Sequence, residues 1–523
     1  MSGDDAAGGP DSAADDESAF ATVRDLFKGG GALLFGLVLE LGISFVAKII
    51  IAQELERVSY GTVSLGIITA AIVSTLVMLG LNTGIGRYLP RYDTPEERRG
   101  VLVSGFEVAI PLSVAAGAAI VLGAPLLAEV FNDQSLVVVF RIFGVAVPFG
   151  TVMKLALGSI QGLQDSVPRI VVQNITFPVT RFVGIAIAIL LGAGVFGVSI
   201  AYVLSYVFAA AAGVYFLATR TRLFDRSVEA VRMRRELLVF SLPLVVTAAM
   251  SIVLSDIDMY MLGILRGPAV VADYNVIYPL AQLLTAALGA FGFLFMPAVS
   301  ELDAEGERDQ LKRLYQVATK WIVVATLPVF LVFVFFPDRV IPLTFGAKYA
   351  QAAPSLAVLA TGFFIHTAFG LNKGALTSLG HTRLIMYDDI VGAAVNVALN
   401  LVLIPLYGLW GAAWATTLSY VVLNLLYSGQ LYRRTSAHPL STALAWPALI
   451  GGVAMGAVYA LGRAYLVVTP LTLVGLFAAF GVIYGLGVLR FGIEPEEVRL
   501  VVSFEERFGV DLGPLKRVAR LFM

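Results

Sequence analysis

About fourteen stretches of roughly 20 mainly apolar residues recur along this chain of 523 residues, each long enough to cross a hydrocarbon core of about 30 Å. They lie near 30–52, 61–82, 100–123, 136–160, 168–193, 196–218, 237–263, 269–296, 314–336, 354–379, 384–404, 410–431, 442–464 and 470–490. In lipid every backbone N–H and C=O must be satisfied within the protein, so spans of this length specify α-helices. The expected fold class is an all-α membrane protein of about 14 transmembrane helices. Composition points the same way: 58% of residues are hydrophobic and 14% charged, against roughly half and a quarter in soluble domains.

The net charge of −1 and the dispersal of basic residues among apolar runs exclude a nucleic-acid-binding stripe. With no cysteine, disulfides, thiolate nucleophiles and cysteine zinc sites are excluded too. Residues 1–28 form an acidic tail whose first twenty residues hold almost no large apolar side chain, and they are expected to be disordered and cytoplasmic. The acidic start and the long first apolar run do not fit a cleaved signal peptide, so the first span is expected to be retained. Arg outnumbers Lys, a composition that together with the acidic tail fits a GC-rich, halophilic source.

Orientation follows from the side on which Lys and Arg collect. With a cytoplasmic N-terminus, the inside segments hold Arg24 and Lys28, then Arg87, Arg91, Arg98 and Arg99, then Arg169, then the long basic run from Arg220 to Arg235, and later Arg308, Lys312, Arg313, Arg383, Arg433 and Arg434. The outside loops hold few: Arg57, Arg266, Arg339, Lys348 and Arg463. The expectation is a multi-pass protein of the cell membrane with both termini cytoplasmic.

The chain also repeats itself. Gly194-Val-Phe-Gly197 through Ala201 to Leu204-Ser205-Tyr206 pairs with Gly408-Leu-Trp-Gly411 through Ala415 to Leu418-Ser419-Tyr420, with six identities in the window. The same offset pairs Tyr60 with Tyr274 and Phe131 with Phe345. Six-span repeats share one orientation, so an axis along the membrane normal should relate them, with a substrate site between the halves. The expected organisation is an N-terminal lobe at 29–221 and a C-terminal lobe at 222–432. Two extra spans at 433–490 and an amphipathic cytoplasmic tail at 491–523 follow, the latter suited to lying on the inner leaflet or packing as a cytosolic cap.

Several motifs then resemble a known family. They are Gly80-Leu81-x-x-Gly84-Ile-x-Arg87-Tyr88, Asp258-Met-Tyr-Met-Leu-Gly263 followed by Val271-Ala-Asp-Tyr274, and Asn396-x-x-x-Asn400-Leu-Val-Leu-Ile-Pro405-x-x-Gly408-x-x-Gly411. Their order and spacing over about residues 29–490 resemble the polysaccharide or lipid-linked oligosaccharide flippases of the multidrug/oligosaccharidyl-lipid/polysaccharide exporter superfamily. The resemblance implies a V-shaped fold of two lobes that carries a polyprenyl- or dolichyl-linked glycan from the inner to the outer leaflet by alternating access. It also implies membrane lipids and glycan-assembly enzymes as partners. A halophilic source would favour the dolichyl carrier.

Ionisable residues inside spans are costly and mark candidate sites. Lys154, in Phe149-Gly150-x-x-x-Lys154, and Lys373, in Phe369-Gly370-x-x-Lys373, occupy nearly equivalent places in the two halves. Ammonium groups from both lobes could hold a lipid phosphate or pyrophosphate; the alternative is snorkelling to headgroups. Arg181 lies deep in the fifth span with Asn174 on the same face, read as cavity lining or as an interhelical salt bridge. Lys48 and Arg87 are further phosphate candidates. For coupling to Na+ or H+, the candidates are Glu40, Asp256, Asp258 and Asp388, since a carboxylate in low dielectric takes a proton or a cation. Each has a plainer reading: Glu40 as a network with Lys48 inside the first span, Asp388 and Asp389 as solvated. Asn396 and Asn400, one turn apart, read as interhelical hydrogen-bonding residues, and His366 as a satisfied packing histidine.

Two rival functions remain. A cation-coupled multidrug exporter would share the fold; fourteen spans and several buried cations tilt away from it. A membrane glycosyltransferase would need paired carboxylates on a metal, but Asp256 and Asp258 point about 200° apart on a helix, and no large extramembrane domain is present to dock a sugar donor. No catalytic and no metal-binding residue is assigned.

Overall fold

In a computed structural model, residues 35–225, 227–465 and 470–491 are described. The acidic tail, with Arg24 and Lys28, and the C-terminal tail from 492 lie outside the described residues. Among the described residues, twelve helices are long and apolar enough to cross a membrane: Phe35–Glu54, Arg57–Val77, Pro95–Val130, Leu136–Gly162, Ser166–Leu190, Gly194–Arg220, Arg234–Arg266, Arg308–Phe335, Ala347–Ser378, Thr382–Tyr407, Leu409–Thr435 and Thr442–Leu461. Among the described residues there is no strand. The chain is a multi-pass, all-α membrane protein.

The two remaining expected spans are helical but depart from a single full-length rod. The eighth is split into Pro268–Gln282 and Ala286–Ala304 by a 3-10 turn at Leu283–Thr285, where the Thr285 hydroxyl donates to the Gln282 carbonyl at 2.8 Å and competes for a ladder acceptor. The fourteenth is the helix Pro470–Phe491. The ordinals below keep the fourteen-span order, so Arg308–Phe335 is the ninth.

Contacts divide the chain into two compact units, one holding residues up to Leu55 and Gly66–Ala249, the other Glu56–Leu65 and Met250 onward. In the first, Leu81, Ile85, Leu102, Leu155, Ile160 and Leu217 belong to one buried cluster. Helices approach closely where glycines remove the side chain, as lipid-embedded bundles require. A Cβ on Gly117 would sit 2.6 Å from the Gly144 carbonyl oxygen, and one on Gly144 2.9 Å from that of Gly117. The basic segment after the sixth span is strapped along the third. Arg99 donates Nε to Leu223 O at 3.1 Å and Nη1 to Val228 O at 2.8 Å, Val231 N–H reaches Glu96 O at 3.2 Å, and Met233 N–H reaches Ser104 Oγ at 2.8 Å.

In the second unit, Phe295, Tyr315, Ile322, Leu376 and Tyr427 form one buried cluster. The two spans beyond the repeat pack on the ninth: Leu327 and Leu331 meet Met455, Val458, Phe480 and Tyr484, and Tyr484 donates its hydroxyl to Val324 O at 3.2 Å. The repeated positions have matching environments. Tyr60 and Tyr274 are both buried, as are Phe131 and Phe345. Gly194 and Gly408 both hold positive φ, +53° and +58°, where only glycine is free of strain, and each sits at the start of a span.

Gly61 lies against the Pro268 backbone, with a Cβ there only 1.7 Å from the Pro268 carbonyl oxygen. Rigid backbone cannot yield as a side chain can. Gly61→Ala is expected to cost about 1–3 kcal/mol through overpacking, read as a lowered unfolding midpoint of the purified protein. Gly123→Ala, with nothing within 4 Å of its Cβ, should leave that midpoint in place.

Candidate functional site

In the second unit, Asp258 of the seventh span is 1% exposed, and a carboxylate so placed requires partners. Tyr274 donates its hydroxyl to Oδ2 at 2.7 Å, Asn400 donates Nδ2 to Oδ1 at 2.5 Å, and the Thr416 hydroxyl donates to Oδ2. Asn400 Nδ2 also reaches Asn396 Oδ1, one turn earlier on the same helix, at 3.1 Å, so the interhelical bond is the one that Asn400 makes to Asp258. Asn400 Oδ1 is buried and has no partner. The cluster gathers the Asp258 carboxylate, two amide oxygens, the Thr416 hydroxyl and the Ala412 carbonyl, which accepts from Thr416 at 3.1 Å. These are hard oxygen donors of the kind that suit a proton or a hard cation rather than a thiophilic metal. Asp256, two residues earlier, takes the Ser255 hydroxyl at 2.7 Å instead, so the two carboxylates serve different partners, as helical spacing required.

In the first unit, a second polar group joins the first and fifth spans. The fifth span passes through a π-helical stretch, Ile170–Thr176, just before Pro178, which has no N–H to return to the Asn174 carbonyl. Asn174 Nδ2 donates to Glu40 Oε2 at 2.5 Å, and Arg181 Nη2 donates to Ser44 Oγ at 2.5 Å. The shared face read from the spacing of Asn174 and Arg181 therefore meets Glu40 and Ser44, one turn apart. Arg181 also stands over the rings of Phe177 at 5.0 Å and Tyr202 at 5.5 Å, and its buried Nε has no partner. The bond from Asn174 thus ties Glu40 of the first span to the fifth. Lys48 is half-buried on the same helix as Glu40.

The remaining candidates have specific surroundings. Lys154 Nζ donates to Thr75 Oγ1 at 2.7 Å. Lys373 sits 3.2 Å from Asp389 and over the Tyr427 ring at 5.7 Å, its side chain 48% exposed. Arg87 is exposed and its guanidinium covers the Phe240 ring at 4.3 Å. Asp388 corrects an expectation: it is buried, not solvated. Gln430 donates to its Oδ1 at 2.7 Å, and its Oδ2 is buried without a partner. It lies on the packed face of its helix, whereas hydropathy told only that the end of the span was near. His366 stacks on Tyr420 at 4.4 Å with Asn424 at 3.1 Å from Nδ1, a satisfied packing residue.

Two charged groups escaped the sequence reading. Lys320 in the ninth span is 1% exposed, 5.9 Å from the Trp321 ring, and a basic residue inside an apolar run was the available signal. Arg57, read only as a loop charge, pairs with Asp273 in a two-pronged contact, Nε to Oδ1 at 3.0 Å and Nη2 to Oδ2 at 2.5 Å. Gln351 adds a bond to Oδ2 at 2.8 Å. No local pattern announces a pair 216 residues apart.

Bundles of membrane-length helices, with a desolvated carboxylate among oxygen donors in one unit and, in the other, a half-buried arginine whose Nε is buried, define a transporter-type membrane protein. The family model described as polysaccharide biosynthesis protein matches residues 26–303, more than half of the chain, and the chain belongs to that family. A second model, MatE, matches residues 243–402. The resemblance to polysaccharide and lipid-linked oligosaccharide flippases read from the motifs therefore holds. An uncharacterised membrane protein of Methanocaldococcus jannaschii is 26% identical over 200 residues, 38% of this chain and 39% of that one. The probable low-salt glycan biosynthesis flippase Agl15 of Haloferax volcanii is 23% identical over 177 residues, 34% of this chain and 38% of that one. The chain thus spans about two fifths of the length of the curated relatives it matches. Among solved structures, the lipid II flippase MurJ in an inward closed conformation is similar with a TM-score of 0.71 at 12% identity, over 88% of this chain and 98% of that one. An inward-facing multidrug transporter of the MATE family has a TM-score of 0.65 at 17% identity, over 76% and 94%. These two likenesses establish the fold.

Proposed function

We propose that this protein is a flippase that moves a glycan precursor linked to a polyprenyl or dolichyl phosphate or pyrophosphate from the inner to the outer leaflet by alternating access. The observation that carries the reading is Arg181, a guanidinium within a membrane-spanning helix, held by Ser44 and two aromatic rings, with a buried donor still unused. A fixed cation at that depth suits a phosphate headgroup, because charge-assisted bonds to phosphate are strong where water is scarce. Lys154, Lys373, Lys48 and Arg87 supply further positive charge for the phosphate along its route. Family membership and the glycan flippase named among its relatives support this substrate class.

The Asp258 cluster is the coupling site, taking Na+ or H+ as the driving ion, with Glu40, Asp256 and Asp388 as the lesser candidates. The excess of Lys and Arg on one set of loops supports cytoplasmic termini in the cell membrane, where the enzymes that assemble the glycan would hand over their product. The chain acts by transport and not by catalysis. The multidrug exporter reading keeps one supporting observation, the MatE match over the half that holds Asp258. Proteoliposomes separate the two. Fluorescently labelled lipid-linked oligosaccharide should lose its protection from an externally added glycosidase within minutes only when the protein is present. Drug efflux without any such exposure would replace the flippase reading with the exporter one.

A further inference from the structure

At the end of the first unit where the sixth span finishes and the third begins, a cavity of about 350 Å³ is lined by Arg98, Arg99, Arg220 and Arg222, by Thr219 and Thr221, and by three leucines. Its acidic lining is Asp93 alone. Asp93 in the lining, with Asp165 and Asp225 beside it, offsets part of the charge of the four arginines and leaves the hollow net positive, and two of the four are held in place by neighbours. Arg99 is fixed by the carbonyls of Leu223 and Val228 at 3.1 and 2.8 Å, and Arg220 lies 3.1 Å from Asp165. Asp225 bears on both Arg222 and Arg99 from outside the lining and is itself occupied by the Ser227 hydroxyl and N–H at 2.5 and 3.0 Å. Leu89 and Leu102 are buried at 1%, so the hollow has an apolar floor under a cationic rim.

The geometry points to a second anion site here, a pocket for a phosphate group outside the residues assigned to transport. The planar, forked donors of arginine match phosphate oxygens in pairs, while the Thr219 and Thr221 hydroxyls already donate to the carbonyls of Tyr215, Phe216 and Leu217. A volume of about 350 Å³ admits a phosphate with a glycerol-sized substituent, and the leucine floor suits the start of an acyl chain. The ligand chemistry is a phosphomonoester or phosphodiester anion, carried by a lipid headgroup or by free phosphate. A diffuse attraction of basic loops for anionic membranes would be spread over all inside arginines, whereas a formed pocket saturates and depends on its own.

The test is thermal unfolding of the full chain in a neutral detergent, titrated with dioctanoyl phosphatidic acid, with inorganic phosphate, and with dioctanoyl phosphatidylcholine. Saturable stabilisation by phosphatidic acid, well beyond that by phosphate or phosphatidylcholine, assigns the site to a lipid headgroup. Equal saturable stabilisation by phosphate assigns it to the free anion. Arg98→Gln combined with Arg222→Gln should weaken that binding at least about tenfold, while Arg433→Gln combined with Arg434→Gln should leave it within about twofold. Should the Gln pair fail to fold, Arg98→Lys with Arg222→Lys makes the same comparison with point charges in place of forks, and a smaller loss is expected. No saturable stabilisation, or equal weakening in the Arg433 and Arg434 pair, overturns the proposal.

Discussion

Asp258→Asn is expected to remove ion-driven transport by at least about a hundredfold while leaving the protein folded. The carboxylate is 1% exposed and holds three donors, from Tyr274, Asn400 and Thr416. An amide of the same shape keeps one acceptor for Asn400, and the hydroxyls of Tyr274 and Thr416 can turn to accept from its NH₂ group, since hydroxyls both donate and accept. The fold therefore loses little, on the order of 1 kcal/mol for one remade hydrogen bond. The charge is different. A neutral amide neither carries a proton at any ordinary pH nor attracts a cation, and a hundredfold loss corresponds to about 2.7 kcal/mol of lost ion binding. Proteoliposomes loaded with imposed Na+ or H+ gradients separate the ions, because only the coupled ion's gradient accelerates flipping in the unsubstituted protein. An Asp258→Asn protein whose flipping still responds to the gradient would remove Asp258 from the coupling role. Asp388→Asn, by contrast, should retain the response.

How far the sequence could be read depends on the distance over which each structural decision is made. Span count and helix class rest on about twenty consecutive residues, and hydropathy reports them well; the eighth span departs at a 3-10 turn of three residues, Leu283–Thr285, which no average over a window registers. The repeat was legible as identities and proved to be a matter of backbone geometry, Gly194 and Gly408 holding the same positive φ. The partner of each intramembrane charge was far less legible. Glu40 meets Asn174 across 134 residues and Asp258 meets Asn400 across 142. Helical periodicity says which residues share a face, as with Asn174 and Arg181, but not which helix that face meets. Burial within one helix escapes for the same reason: Asp388 and Asp389 are adjacent in sequence, yet one is packed against Gln430 and the other holds Lys373 and Tyr427.

The combined substitution Lys154→Ala and Lys373→Ala should fold and fail to restore glycan export in a strain lacking its own flippase, with export reduced about a hundredfold. Folding survives because each lysine leaves a partner that is otherwise engaged. Thr75 still donates to Ala71 O at 2.8 Å, and Asp389 keeps the Tyr427 hydroxyl. Lys373 is half-exposed, so its ion pair with Asp389 is screened and adds little to stability, of the order of exposed pairs at about 0–1 kcal/mol. That weakness is what a carrier needs: a strong, desolvated pair would hold the ammonium away from a phosphate, whereas a screened one can exchange its partner at small cost. Each single substitution should then reduce export about tenfold, the lower end of the roughly 1.5–3 kcal/mol that a charge-assisted contact to phosphate contributes. Arginine at both positions keeps the positive charge and should retain most export. If the alanine pair supports export at the unsubstituted level, with the protein present in the membrane at normal amounts, the two lysines do not carry the phosphate, and the headgroup falls to Arg181, with Lys48 and Arg87 as the other cations left.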